Sequence, residues 1–151
     1  MAPPHRPLVG IVVSRYNETV TRRLLDGARG CCAERGIAGE RITVKWVDGA
    51  WELPVVARSM IAPRAVDVVC ALGAVIRGET PHFDFVAGEA ARGLMQLQLD
   101  YGAPVGFGLL TCDTLEQALA RAGGPAGNKG FEAMAAALNA LEEMGGDADQ
   151  A

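Results

Sequence analysis

Histidine is almost missing from this chain: of its two, His5 falls in a proline-rich leader and only His82 lies in the body. The four cysteines, Cys31, Cys32, Cys70 and Cys112, include no CxxC pair and stand near no paired histidines, so no metal-ligand pattern is present. They read instead as small buried hydrophobes, and with no export signal they suit a reducing cytoplasm. Basic blocks are also absent, as is any interleaving of basic and aromatic residues. With a net charge of −4 and 5% aromatics, nucleic acid and anionic membranes are excluded as expected partners. No segment is long enough to cross a bilayer. The longest early apolar run, Leu8 to Val13, is too short for a signal-peptide core and is rich in β-branched residues, which marks a strand.

What is present is a repeated alternation of apolar strands and helix-period segments. At 151 residues the chain reads as one domain, residues 1–151, with a leader (1–7) and a tail (145–151) expected to be flexible. Half of the residues are hydrophobic, enough for a single sizeable core. Strands are expected at Leu8 to Ser14, Ile42 to Val47, around Val68 to Ile76, and Val105 to Thr111. The third, with Val68, Val69, Leu72, Val75 and Ile76, is apolar on both faces, as in a parallel sheet. Helices are expected from Thr19 to Arg35, with Gly36 as the stop, and from Leu53 to Pro63. Others follow from Phe83 to about Leu99, with Gly102 beyond, and from Phe131 to about Met144. Asp113 followed by Glu116 suggests a capping box opening a short helix to Arg121. Gly123 to Gly130 reads as a glycine-rich turn. The order implies an α/β, three-layer flavodoxin-like or Rossmann-like sandwich: a four-stranded parallel sheet with right-handed crossovers and helices on both faces.

Ligands of such sheets bind beyond the carboxyl ends of the strands, where strand order reverses. That rule selects Tyr16 and Asn17 after the first strand, Trp51 and Glu52 after the second, Arg77 to His82 after the third, and Thr111 to Asp113 after the fourth. His82 is the natural proton carrier, because an imidazole gives and takes protons near neutrality; a surface or capping histidine is the plain alternative. Gly78 to Pro81 leads into a helix whose free amide hydrogens and positive dipole end favour an anion such as phosphate. Glu79 would contribute there through its backbone only. Arg121 and Lys129 flank the glycine-rich turn and offer cations, although either could simply complete a helix end. Tyr16 and Trp51 could stack on a flat ring or merely pack. Glu52 could accept bonds from a polyol or sit in the first turn of its helix. Asn17 could cap a helix, and Phe107 is by default core.

Five blocks resemble segments of one family in order and spacing: VVSRYNETVTRRLLDGA, DGAWELPVVA, ALGAVIRGETPHFDFVAGEAARGL, PVGFGLLTCDTLEQALARAG and AGNKGFEAMAAAL. They resemble the 6,7-dimethyl-8-ribityllumazine synthases, over roughly Val9 to Leu141. The resemblance implies the penultimate step of riboflavin biosynthesis. In it 5-amino-6-(D-ribitylamino)uracil condenses with 3,4-dihydroxy-2-butanone 4-phosphate to the lumazine, phosphate and water, with neither metal nor organic cofactor. It assigns ring stacking to Tyr16, the ribityl carboxylate to Glu52, proton transfer to His82, and phosphate binding to the backbone of Gly78, Glu79 and Thr80 with Arg121. Phe107 and Lys129 match residues that reach the substrate from an adjoining subunit. Asn17, Ala50, Trp51, Val75 and Ile76 complete the implied substrate-binding set. Two departures stand out: Asp48 where the family usually has proline, which suggests a less rigid loop before Glu52, and Tyr16 in place of Phe or Trp.

The resemblance further implies a homopentamer, and many relatives close twelve pentamers into an icosahedral shell. The compact Gly123 to Asn128 turn is compatible with the shell. Pro3, Pro4 and Pro7 count against it, because they limit strand pairing of the leader with a neighbour. Association with riboflavin synthase is a further open point. Two other readings remain at this stage: a silent relative that only binds lumazine or flavin, and a receiver-like signalling domain. The latter would need a magnesium-binding acidic cluster that these loops do not offer.

Overall fold

A computed structural model describes residues 6–145. The expected flexible ends therefore fall largely outside the described residues. Of the leader, Arg6 and Pro7 are described, and their carbonyl oxygens accept hydrogen bonds from Arg41.

Four parallel strands, β1 (Val9–Ser14), β2 (Ile42–Val47), β3 (Val68–Ile76) and β4 (Val105–Cys112), pair in the order β2-β1-β3-β4. β1 lies in register with both neighbours, Val9 opposite Ile42 on one side and Val68 on the other. Strand order therefore reverses between β1 and β3. Alternate residues of these strands serve two separate cores. Ile11, Val13, Cys70 and Leu72 face helices α1 (Glu18–Glu34) and α5 (Lys129–Glu143), while Val12, Val69, Ala71 and Leu109 face α2 (Leu53–Ile61) and α3 (His82–Tyr101). This is the three-layer α/β arrangement anticipated from the order of elements, and the period-2 alternation of the strands produces it directly.

The helices dock by their apolar stripes. Val20, Leu24, Leu25 and Ala28 of α1 are buried, while Arg22 and Arg23 are exposed on its opposite side. A fully buried leucine is stabilised by roughly 1.5–3 kcal/mol relative to an exposed one. The exposed pairs, such as Arg22–Glu18 at 2.6 Å, are each worth about 0–1 kcal/mol. The two cores, not the surface ions, hold the layers together.

Several ends differ from the sequence expectations. α3 starts at His82 itself and extends to Tyr101, where Gly102 stops it in a left-handed conformation (φ 59°). The short helix α4 (Leu115–Ala120) is capped one residue later than expected: Thr114 Oγ1 accepts from Gln117 N at 3.1 Å, and Gln117 Oε1 accepts from Asp113 N at 2.8 Å. The threonine–glutamine pair satisfies the amides of Gln117 and Asp113, where an Asp–Glu pair would have satisfied those of Glu116 and Asp113. The glycine-rich turn is a small antiparallel hairpin, β5 (Ala122–Gly124) with β6 (Gly127–Asn128), made possible by positive φ at Gly123 and Gly127. It ends earlier than the expected turn, since α5 already begins at Lys129.

All four cysteines are free and buried, matching the reading from composition. Burial raises the pKa of the Cys32 thiol from its ordinary 9.0 to about 11, with the neighbouring Cys31 adding to the effect. A thiol held neutral by the fold contributes stability that is complete below pH 9.0 and declines as pH rises through the window up to about 11. Denaturant titrations should show this decline in the native sequence. The Cys32→Ala variant should show a shallower one, with the difference between the curves confined to that window.

Candidate active site

At the switch point the β1 exit carries Tyr16 and Asn17. Asn17 occupies the left-handed region (φ 61°, ψ 49°), which costs most side chains roughly 1–2 kcal/mol and asparagine less. Its side chain does not cap α1, contrary to the capping expectation. Instead its Nδ2 donates to Ala74 O across the sheet at 3.0 Å, tying the β1 exit to the end of β3.

The β2 exit is folded tightly. Arg15 N and Tyr16 N both donate to the Asp48 carbonyl at 3.1 Å, and the Arg15 guanidinium reaches the Asp48 carboxylate at 3.5 Å. The loop that seemed less rigid for want of a proline is thus bound to its neighbour through a carbonyl that either residue would supply. Beyond it, Ala50–Glu52 makes one 3-10 turn, and Glu52 Oε1 accepts from Gly49 N at 3.0 Å. One oxygen of this half-buried carboxylate closes the loop, and the other retains its capacity to accept hydrogen bonds.

These loops and the start of α3 enclose a cavity of about 830 Å³, a volume within the range of small-molecule sites. Tyr16, Asn17, Ala50, Trp51, Glu52, Val75, Ile76 and His82 line it, all singled out from the sequence. Gly49, Ala74, Phe85 and Val86 line it too and were missed. Phe85 could have been found, since it lies one turn beyond His82 on the same helix and is 67% exposed. Tyr16 and Trp51 are likewise exposed, with their ring faces available.

Gly78, Glu79 and Thr80 form the exposed loop between β3 and α3 and do not line this cavity. Beside that loop Arg77 ties three elements together. Its Nε donates to Asp113 at 3.0 Å, its Nη2 lies 3.3 Å from Asp84, and its guanidinium stacks over Phe83 at 4.4 Å. The Asp113 hydrogen bond, then that of Asp84, raise its already high pKa.

A second cavity, of about 240 Å³, opens along β4 and is lined by Phe107, Thr111, Cys112, Arg121 and Lys129 among others. Phe107 is half exposed here rather than buried in the core. Arg121 Nη1 donates to Gln117 O at 3.0 Å, and Lys129 Nζ to Glu132 Oε1 at 3.0 Å. One chain therefore puts the aromatic faces, the carboxylate and the imidazole around one cavity, and two cations around another. Among the described residues, no group of three or more His, Cys, Asp or Glu side chains could hold a metal ion.

A parallel sheet with a cavity at its switch point defines a flavodoxin-like α/β protein. The family model for 6,7-dimethyl-8-ribityllumazine synthase matches residues 7–144. A protein of Gemmatimonas aurantiaca named 6,7-dimethyl-8-ribityllumazine synthase is 55% identical over 132 residues, covering 87% of this chain and 80% of its own. The chain belongs to the 6,7-dimethyl-8-ribityllumazine synthase family and is a transferase of riboflavin biosynthesis.

The Glu52 bond to Gly49 gives the side chain a role in loop closure that stability can measure. Glu52→Ala should lower unfolding stability by about 1 kcal/mol, the usual worth of such a hydrogen bond. Glu52→Gln keeps an acceptor and should leave stability nearly unchanged. Chemical denaturation of both variants measures this.

Proposed function

We propose that the switch-point cavity holds 5-amino-6-(D-ribitylamino)uracil and joins it to 3,4-dihydroxy-2-butanone 4-phosphate. The observation that carries this reading is the division of the groups. The larger cavity has stacking faces, a hydrogen-bonding carboxylate and an imidazole but no cation, while Arg121 and Lys129 stand around the smaller one. A phosphorylated substrate needs both sets. They come together if the smaller cavity of one subunit faces the larger cavity of the next.

In this assignment Tyr16 stacks on the pyrimidine and the free oxygen of Glu52 accepts from the ribityl hydroxyls. Asn17, Ala50, Trp51, Val75 and Ile76 shape the walls. The backbone of Gly78, Glu79 and Thr80, at the mouth of α3, meets the phosphate, aided by the positive helix end. Arg121 and Lys129 of the adjoining subunit supply countercharge, and its Phe107 covers the ring. The pyrimidine amine attacks the ketone, one water leaves as the imine forms, phosphate is eliminated, and the ribityl-bearing nitrogen attacks the remaining carbonyl carbon and closes the second ring with loss of a second water. His82 relays protons between these steps. No metal or organic cofactor is assigned to the reaction.

The same reading makes the chain a homopentamer, with twelve pentamers in an icosahedral shell as the larger form open to it. Exposed Phe85, Met95 and Leu99 lie along one side of α3, with Trp51 and Val55 on the neighbouring segment. An apolar face of this kind supports a contact with another subunit. Buried free thiols suit a reducing cytoplasm. Riboflavin synthase, which would consume the product, is the partner the shell would enclose.

Mixing the two substrates and following lumazine fluorescence tests the activity, and a protein that only binds lumazine or flavin would yield no product. His82→Ala should reduce kcat by up to about 10²- to 10⁴-fold without abolishing turnover, since positioning of the two reactants survives. A folded, substrate-binding His82→Ala protein with no turnover would overturn the positioning account. Arg121→Ala should raise KM for the phosphorylated ketone far more than for the pyrimidine. Light scattering gives the assembly size, with a monomer contradicting the shared site.

A further inference from the structure

The two cations of the smaller cavity are held in place from a distance. Lys129 begins α5 and Arg121 ends α4, and the hairpin between them is closed by Lys129 N donating to Arg121 O at 2.8 Å. Hairpins this short do not hold their own position. This one is anchored at Ala122, which is buried in the core, by Ala126 N donating to Ala120 O at 2.9 Å, and on its second strand by Asn128. The Asn128 Oδ1 accepts from Gly130 N at 2.9 Å and from Phe131 N at 3.0 Å, capping α5. Its Nδ2 donates to Arg23 O in the middle of α1, across 105 residues of sequence, at 3.0 Å. The side-chain amide thus makes contacts at both ends, to a helix start on one side and to a helix body on the other.

The surface that receives it on α1 has no side chain in the way. Gly27 lies directly under the amide, and a Cβ there would overlap Asn128 Oδ1. Gly130, the next residue but one, approaches α1 so closely that a Cβ would overlap Leu24 O. A glycine inside α1 costs about 1 kcal/mol of helix propensity relative to alanine. Here it opens the slot into which the amide fits. Ala122 pairs with Asn128 in the hairpin, so the backbone leading to Arg121 is held through the same residue.

We propose that Asn128 is a positioning residue for the phosphorylated substrate, acting through Arg121 and Lys129 by locking their hairpin onto α1 at Gly27. The inference rests on the assignment of those two cations to the phosphate. Capping and docking are separable functions of the one amide. A serine can replace the acceptor in the cap but cannot extend a donor to Arg23 O.

Two variants test the lock from opposite sides in the full assembled enzyme, with the natural substrates. Asn128→Ser retains a neutral cap and removes the docking bond. Gly27→Ala favours α1 as a helix and displaces the amide while leaving Asn128, Arg121 and Lys129 in the sequence. Each should raise KM for the phosphorylated ketone about tenfold, the scale of a weakened hydrogen bond to a charged group. KM for the pyrimidine should move less than about twofold. A purely structural role would instead change stability or both KM values together. Arg121→Ala measured alongside separates the two levels. If it leaves KM for the ketone unchanged, the phosphate assignment fails. If it raises that KM while Asn128→Ser and Gly27→Ala do not, the positioning role alone is overturned.

Discussion

Parallel pairing of β1 with two neighbours, β2 on one side and β3 on the other, is the constraint from which the site follows. Chain connections leave β1 and β3 in opposite directions, so the loops above their carboxyl ends diverge and a crevice opens between them. Asn17 bridges this crevice at its base through the bond to Ala74 O. That bond holds the β1 exit, with Tyr16, against the end of β3. An asparagine suits the position twice over, since it tolerates left-handed backbone and carries a donor long enough to cross to the next strand.

The two cavities are stabilised by different means. Around the larger one, one loop closes on itself, Glu52 on Gly49, and two loops close on each other, Asp48 on Arg15 and Tyr16. Around the smaller one, a short hairpin with Ala122 in the core is tied further to α1 through Asn128. Neither arrangement draws much on the exposed ion pairs, which at about 0–1 kcal/mol each are too weak to define geometry. Arg77 differs from those pairs because its guanidinium fork engages two carboxylates and a ring at once. It links the exits of β3 and β4 to the first turn of α3, beside His82.

Much of this could be read from residues in a row. The apolar runs place all four strands to within a residue or two, and the 3.6-residue spacing in α1 names the side chains that are buried. His82, Glu52 and Tyr16 were legible because the ends of parallel strands are where such sheets bind ligands. The misses share one cause. Thr114 in place of Asp113 as the cap, and the choice between cap and cross-sheet bond at Asn17, depend on where a short polar side chain finds its partner. Several partners lay within reach in sequence, and only the packed backbone selects one. Gly49 and Ala74 were passed over for a related reason, since a cavity wall is made by residues that meet in space.

Sequence alone determined the layers, the strand ends and the chemical groups available to a ligand, because periodic burial and turn chemistry are local properties. The tertiary structure decided how those groups are divided: stacking faces and imidazole on one side, cations on the other, with Asn128 set into the gap at Gly27. That division depends on contacts between segments 57 to 105 residues apart, over which no local preference of the chain extends.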